Sequence, residues 1–240
     1  MTEAETTYPV SPRNQVKRLH ERGRYDHATI HGLLDASMLC HVSYVIDGQP
    51  YVTPTAYWRR GRTLYWHGSS ASRMLRTQKD GIPVCVTVSL LDGLVVARSG
   101  FHHSVNYRAV MAFGRARFVQ DAKKKEAELD YFIERIYPGR VAALRPVNQQ
   151  ELKGTTLIAM EIEEASAKVR TGEPKDDEED YALDIWAGVI PIRQVVGAAE
   201  NDPRLKAGVA LPEHLRRFED GERFDTLVSA STAKLANAAE

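Results

Sequence analysis

The segment Tyr65-Trp66-His67-Gly68-Ser69-Ser70-Ala71-Ser72-Arg73 reads as a strand that passes through a turn of small residues into the start of a helix. The chemistry such a turn offers is phosphate binding. The first turn of a helix carries unpaired backbone N–H groups and a partial positive charge; Ser69, Ser70 and Ser72 add hydroxyl donors, and Arg73 adds a forked cation. The same residue types also make an ordinary helix cap, so turn chemistry alone leaves both readings open.

Histidines are the other chemically versatile residues. An imidazole near neutral pH can hydrogen-bond a cofactor or move a proton, which makes His67 a candidate beside the turn. His102 and His103 are adjacent, and neighbours on an extended chain point to opposite faces, so a shared metal ion is not expected and both are read as structural. The run from Glu173 to Asp180 lacks the glycine and spacing of a calcium loop and is read as a solvated acidic loop. Arg59, Arg60 and Arg62 are read as a solvated turn, the competing reading being a cleft mouth that attracts an anionic nucleotide. Cys40 and Cys85 lie inside apolar runs, without a Cys-x-x-Cys partner, and are read as buried thiols in a reducing compartment.

The elements that must position these residues follow from periodicity. Residues 1–25 form an arm with little apolar pattern. Asp26 caps a short helix whose face is Ile30, Leu33 and Leu34. Met38–Ile46, Asp47-Gly48 and Tyr51–Trp58 make a β-hairpin signal, and Thr63–His67 a third strand after the Gly61 turn. Pro83–Leu90 and Leu94–Ser99 are two strands about a turn at Asp92-Gly93. Tyr107–Phe118 is a long strand in which Gly114 supplies a bend, Asp121–Ile136 a helix, and Thr155–Ile162 the last core strand. Many short strands with hairpin turns, and no regular βαβ spacing, predict a mainly β antiparallel barrel with peripheral helices. The domain is placed at 26–200, followed by a polar, Ala-rich and partly mobile extension over 201–240.

Composition sets the outer limits. Thirty-two basic residues balance thirty-two acidic ones, which recommends neither nucleic acid nor an anionic membrane as partner. No leader-like segment or stretch of about 18 apolar residues occurs, so a cytoplasmic location is expected.

Taken together, these segments resemble the pyridoxamine 5′-phosphate oxidase-like split-barrel flavoproteins, in particular the branch containing nitroimidazole-resistance and flavin-nucleotide-binding proteins. The resemblance runs from about Arg24 to about Pro191. It is carried by Tyr25-Asp26, by Pro50-Tyr51-Val52-Thr53-Pro54-Thr55, and by the Tyr65–Arg73 segment. It continues through Arg98 to Arg108 and closes on Trp186-Ala187-Gly188-Val189-Ile190-Pro191. It implies a six-stranded split barrel that forms a homodimer, with one FMN in each of two clefts between subunits.

Residue by residue, the resemblance sets Val52, Thr53 and Pro54 along the isoalloxazine ring and His67 and Gly68 at its polar edge. Ser72 and Arg73, with Ser69 in the same turn, would hold the phosphate. The lysine that commonly follows the Ser-Arg pair is Met74 here, leaving Arg108 or Arg98 to supply a second cation. Asn106, Tyr107 and Arg108 align with a segment of the cofactor cleft. Trp186 resembles a tryptophan that covers the flavin from the partner chain, simple interface packing being its other reading. The implied function is an FMN-dependent oxidoreductase with His67 as a catalytic residue, moving a hydride through flavin N5. Its partners would be a small-molecule substrate, in the manner of a nitroreductase, and a nicotinamide nucleotide. Pyridoxamine phosphate oxidation is not expected, because beyond Trp186 only Arg193 offers a phosphate grip. Competing readings are a non-catalytic FMN carrier, a haem-binding split-barrel protein using a histidine ligand, and a scaffold that has lost its cofactor.

Overall fold

Two strands and a two-residue turn start the barrel. In a computed structural model that describes residues 6–78 and 81–238, β1 (Gly23–Arg24) and α1 (His27–Asp35) precede β2 (Leu39–Ile46) and β3 (Gln49–Arg60). Asp47 and Gly48 take positive φ values of 50° and 78°, the geometry that lets a two-residue hairpin follow the right-handed twist of its strands. Asp26 caps α1 by accepting from the Thr29 N–H at 2.7 Å, a contact worth about 1 kcal/mol. Ile30 and Leu34 on α1 are fully buried, at about 1.5–3 kcal/mol each. The helix therefore closes one end of the barrel.

β4 (Thr63–Ser69), α2 (Arg73–Thr77), β5 (Ile82–Val96) and β6 (Ser104–Phe118) follow. Next come α3 (Ala122–Ile136), α4 (Gln149–Gly154), β7 (Thr155–Glu161), β8 (Glu164–Arg170), β9 (Gly188–Pro191) and α5 (Phe224–Ala238). Antiparallel pairings run β6-β7-β4-β3-β2-β5 and return to β6, which closes a six-stranded ring; β8 and β1 extend one side and β9 pairs with β5. The six-stranded split barrel read from the sequence is the fold. Among the described residues no helix is long and apolar enough to cross a membrane.

Gly114 makes the split. Residues 107–113 of β6 pair with β8, whereas residues 116–118 pair with β7. At Gly114 a Cβ would stand 2.2 Å from the Glu161 carbonyl oxygen and 2.8 Å from the Met160 side chain. Because the clash is with backbone, Gly114→Ala is expected to destabilise the fold by about 3 kcal/mol or more. An unchanged urea midpoint for that variant would contradict this account of the corner.

The strand pair expected at Pro83–Leu90 and Leu94–Ser99 is a single 15-residue strand. Asp92-Gly93 is a bulge within it, where the register against β6 shifts between Leu91 and Gly93. The carboxylate that suggested a turn is held by Arg108 of the neighbouring strand at 2.8 and 2.7 Å. Thr155–Ile162 is also not the last strand, since β8 and β9 follow. Beyond Asn201 the chain forms α5, which packs against α3 and α1 and buries Val228 and Thr232.

The N-terminal segment contributes directly to the core. Tyr8 is 1% exposed and its hydroxyl contacts His31 Nε2 at 2.8 Å, while His27 stacks on His31. Desolvation, then the Arg59 charge, lowers the His31 pKa to about 3, and desolvation also lowers those of His27 and His67. Below the ordinary pKa of about 6.5 the unfolded chain takes up protons that these folded sites resist, so stability is lost as pH falls. The melting temperature is expected to drop from pH 6.5 towards 3. For His31 the slope is at most about 1.4 kcal/mol per pH unit, reduced by solvent screening of this incompletely buried ring. His31→Gln should flatten the profile; an equally steep profile in that variant would remove His31 as its source.

Candidate functional site

The outer wall of the barrel changes character along β3. At its C-terminal end Trp58 is covered by α3, lying 4.8 Å from the Phe132 ring and 5.6 Å from Tyr65 of β4. At its N-terminal end the same face is open: Val52 is 62% exposed and Pro54 is exposed, while Thr53 points inward to contact the Tyr44 hydroxyl at 3.0 Å. Alternation along a strand produces this pattern, and the paired strand β2 extends the open face with Leu39, His41 and Val45.

His67 stands at the border between the covered and open parts. Its ring lies 5.9 Å from Trp58 and 5.3 Å from Phe132, and its buried Nδ1 has no hydrogen-bond partner among the described residues. Desolvation by these aromatic neighbours holds the imidazole below its ordinary pKa, so it is neutral at pH 7. An unsatisfied buried ring nitrogen is costly in a finished core and is common where a ligand completes the contacts. Gly68 follows; a Cβ there would meet Leu75 Cδ1 at 3.1 Å, a tight contact to which this side-chain end would have to yield.

The turn itself is tied down locally. The Ser72 N–H donates to the Ser69 carbonyl at 2.9 Å and the Ala71 N–H to Ser69 Oγ at 3.2 Å, so the Ser69 hydroxyl is partly used by its own turn. α2 has only five residues, which leaves most of any anion binding to Ser72 and Arg73 side chains rather than to the helix dipole. Among the described residues no carboxylate pairs with Arg73; its guanidinium lies 4.6 Å above the Tyr51 ring, which stacks on Tyr44. A cation spread over an aromatic face, beside an open apolar wall and a neutral imidazole, can take a flat heterocycle that carries phosphate.

The remaining candidates occupy a different network. Asn106 is buried, donates to the Gly172 carbonyl at 3.0 Å and accepts from Arg170. Tyr107 is half-buried on β6. Arg108 is engaged by Asp92 and, at 3.1 Å, by Asp225 at the start of α5, and Arg98 pairs with Asp176 at 3.0 Å. Neither arginine is a free second cation for the turn. Trp186 is 65% exposed just before β9, its ring folded back over Gly188.

Two surface readings need correction. Arg59 pairs with Asp35, Arg60 with Glu128 at 3.1 Å, and Arg62 donates to the Ile162 carbonyl at 3.2 Å while lying over Tyr8. These cations brace the fold instead of forming a solvated turn. The acidic run is likewise anchored through Asp176, and Asp177 and Asp180 bring carboxylate oxygens within 4.8 Å of a His102 ring nitrogen. No local signal in the sequence exposes such partners, which lie far apart along the chain.

Comparison with known proteins adds lineage to this geometry. A family model described as pyridoxamine 5′-phosphate oxidase matches residues 26–169. The flavocytochrome Anf3 from Azotobacter vinelandii is 47% identical with a TM-score of 0.83, over 88% of this chain and 98% of that one. The FAD and heme binding protein from Mycobacterium smegmatis is 36% identical with a TM-score of 0.80, over 84% of this chain and 99% of that one. A protein put forward as a 5-nitroimidazole antibiotic resistance protein from Bacteroides thetaiotaomicron shares the fold at 20% identity and a TM-score of 0.51, over 61% and 86%. No curated protein matches the chain.

Proposed function

The chain belongs to the pyridoxamine 5′-phosphate oxidase family, whose model covers residues 26–169, and on that premise we propose that it is a flavin-dependent redox protein that also holds a haem. The observation that carries the flavin half is the open wall at Val52 and Pro54 beside Arg73 and the His67 ring, a cation and a buried ring nitrogen that have no carboxylate and no hydrogen-bond partner, respectively, among the described residues. Val52 and Pro54 line the ring, with only the backbone of Thr53 running between them, His67 and Gly68 meet its polar edge, and Ser72, Arg73 and Ser69 take the phosphate. These residues fit the FMN moiety, which FMN and FAD have in common, and the reading from the sequence is FMN. The likeness to a flavocytochrome and to an FAD and heme binding protein, at 47% and 36% identity, supports the second cofactor.

The exposed apolar face of β2 and β3, with Leu39, Val45 and Val52 all more than half exposed, supports a homodimer in which a second copy covers the cleft. In that assembly Trp186 closes over the ligand, and Asn106, Tyr107 and Arg108 brace the cleft wall. When bound, a flavin supplies hydride and single-electron chemistry at its ring, and a haem iron supplies one-electron chemistry. The chain's own part is to position the ring, exclude water from one face, and hold a neutral imidazole at His67 to donate or accept a proton. The electron donor is proposed to be a nicotinamide nucleotide and the oxidant a small electrophile.

Anaerobic addition of NADH or NADPH to the purified protein tests the redox reading: bleaching of the flavin bands is expected. Flavin bands unchanged by either nucleotide would remove the nicotinamide donor, and bands unchanged by dithionite as well would leave a carrier in place of a redox protein.

A further inference from the structure

Two elements that support the flavin wall also bound a cleft of about 590 Å³, a volume within the range of ligand sites. α3 reaches the wall through Phe132, 5.3 Å from the His67 ring. α4 reaches the phosphate turn through the Gly154 carbonyl, which accepts from the Ser70 N–H at 3.0 Å. Glu151 lines the cleft; it lies three residues before Gly154 on α4, about 4.5 Å along the helix axis at about 1.5 Å per residue. The cleft therefore begins one helical turn from a residue that touches the phosphate turn.

Six of its ten lining side chains, Leu129, Ile133, Val141, Leu144, Pro146 and Val147, are apolar. Leu144 and Val147 are 44% and 39% exposed, so this wall is open to a ligand. The polar side chains are Glu126, Asp130, Arg145 and Glu151. Arg145 is taken by Glu151, which also accepts from the Asn148 N–H at 3.0 Å. Glu126 and Asp130, four residues apart on one face of α3, have carboxylates without a hydrogen-bond or ion-pair partner among the described residues. Burial, followed by the charges of Glu126 and Glu134, raises the Asp130 pKa. Like charges at this spacing repel, and a hydrogen-bond donor placed between them relieves the repulsion.

Three carboxylates against one guanidinium repel a phosphate, so the cleft suits a flat, uncharged group rich in hydrogen-bond donors. Adenosine has that chemistry: a planar base for the apolar wall, and an amino group and two ribose hydroxyls for the carboxylates, the contact by which acidic side chains commonly hold ribose. Resting on the flavin half of the proposed function, we infer that the flavin held by this chain is FAD and that this cleft takes its adenosine half. The second phosphate of FAD then falls between the turn and the cleft. Lys153, the residue before Gly154, is exposed there and has no carboxylate partner among the described residues. It is the second cation that Arg98 and Arg108, both paired, do not supply.

The test is equilibrium dialysis of FMN and of FAD against the flavin-free full chain. Wild-type protein is expected to bind FAD about tenfold or more tightly than FMN. Val147→Asp, which sets a charge on the exposed apolar wall, is expected to weaken FAD about tenfold and to leave FMN within about twofold. Retained FMN binding is the control for folding. Lys153→Glu, a change on the exposed surface of α4, supplies a second route: the loss for FAD is expected to exceed that for FMN by about fivefold. Equal wild-type affinity for the two flavins, or equal losses for both flavins in the two variants, overturns the adenosine site. Wild-type protein that binds neither FMN nor FAD would instead defeat the flavin reading on which the inference rests.

Discussion

Arg73→Ala is expected to yield a folded protein that purifies with little flavin and binds added FMN roughly 30- to 100-fold more weakly, from the loss of about 2–3 kcal/mol of charge-assisted phosphate contact. The fold should be indifferent to the change. Among the described residues Arg73 has no carboxylate partner, and its stacking on Tyr51 is worth only about 0.5–1 kcal/mol at an exposed site. Arg73→Lys should fall between, since an ammonium keeps the charge and loses the fork. Fluorescence titration of flavin-free protein measures all three, and equal affinities across the series would take Arg73 out of the phosphate site. The short α2 sharpens this prediction: with five residues the helix offers little field of its own, so the side chain must do most of the binding.

His67→Ala should behave in the opposite sense. Flavin occupancy stays within about two- to threefold, whereas the rate of flavin reduction or turnover falls about 10²-fold or more, the range for loss of a positioned proton donor or acceptor. The pH profile separates this role from simple packing. Burial among Trp58 and Phe132 lowers the His67 pKa, so the neutral ring persists to below pH 6.5 and the wild-type rate should show its acid limb there. The alanine variant should lack that limb, and His67→Gln should recover part of the rate if hydrogen bonding to the ring matters more than proton transfer. Wild-type kinetics at full occupancy in His67→Ala would end the proton role.

Much of this architecture was legible in local patterns. Asp47-Gly48 between two β-branched runs specified the hairpin, Asp26 ahead of Ile30, Leu33 and Leu34 specified α1, and Gly114 marked the corner. Each signal is contained within a few residues, and each is paid back in the fold by backbone geometry or by one buried face. The failures share a physical cause too. β8 reads Glu-Ala-Ser-Ala-Lys-Val-Arg, and it carries almost no hydrophobic pattern because its core-facing positions are the small Ala165 and Ala167, while its place in the fold comes from the backbone ladder with β6. α5 was hidden in the same way, its contact with α1 and α3 made through Val228, Ser231 and Thr232.

Charged residues were the hardest to read. Arg59 pairs with Asp35, Arg60 with Glu128, and Arg108 with Asp92 and Asp225, across separations of 24, 68, 16 and 117 residues. Composition marks such residues as surface groups, and only the folded chain reveals which have a partner. That distinction decides the candidate site: Arg108 and Arg98 are neutralised by carboxylates, while Arg73 is left for a ligand among the described residues. The value of His67 was visible from its place at the end of β4, but its unsatisfied Nδ1 was not.

The most direct test of the central claim is the visible absorption spectrum of the purified full chain, followed by mass identification of what acid releases. The account predicts flavin bands together with a Soret band, and release of FMN or FAD. A colourless protein that takes up neither added flavin nor hemin would contradict it, and would leave the barrel as a scaffold without a cofactor.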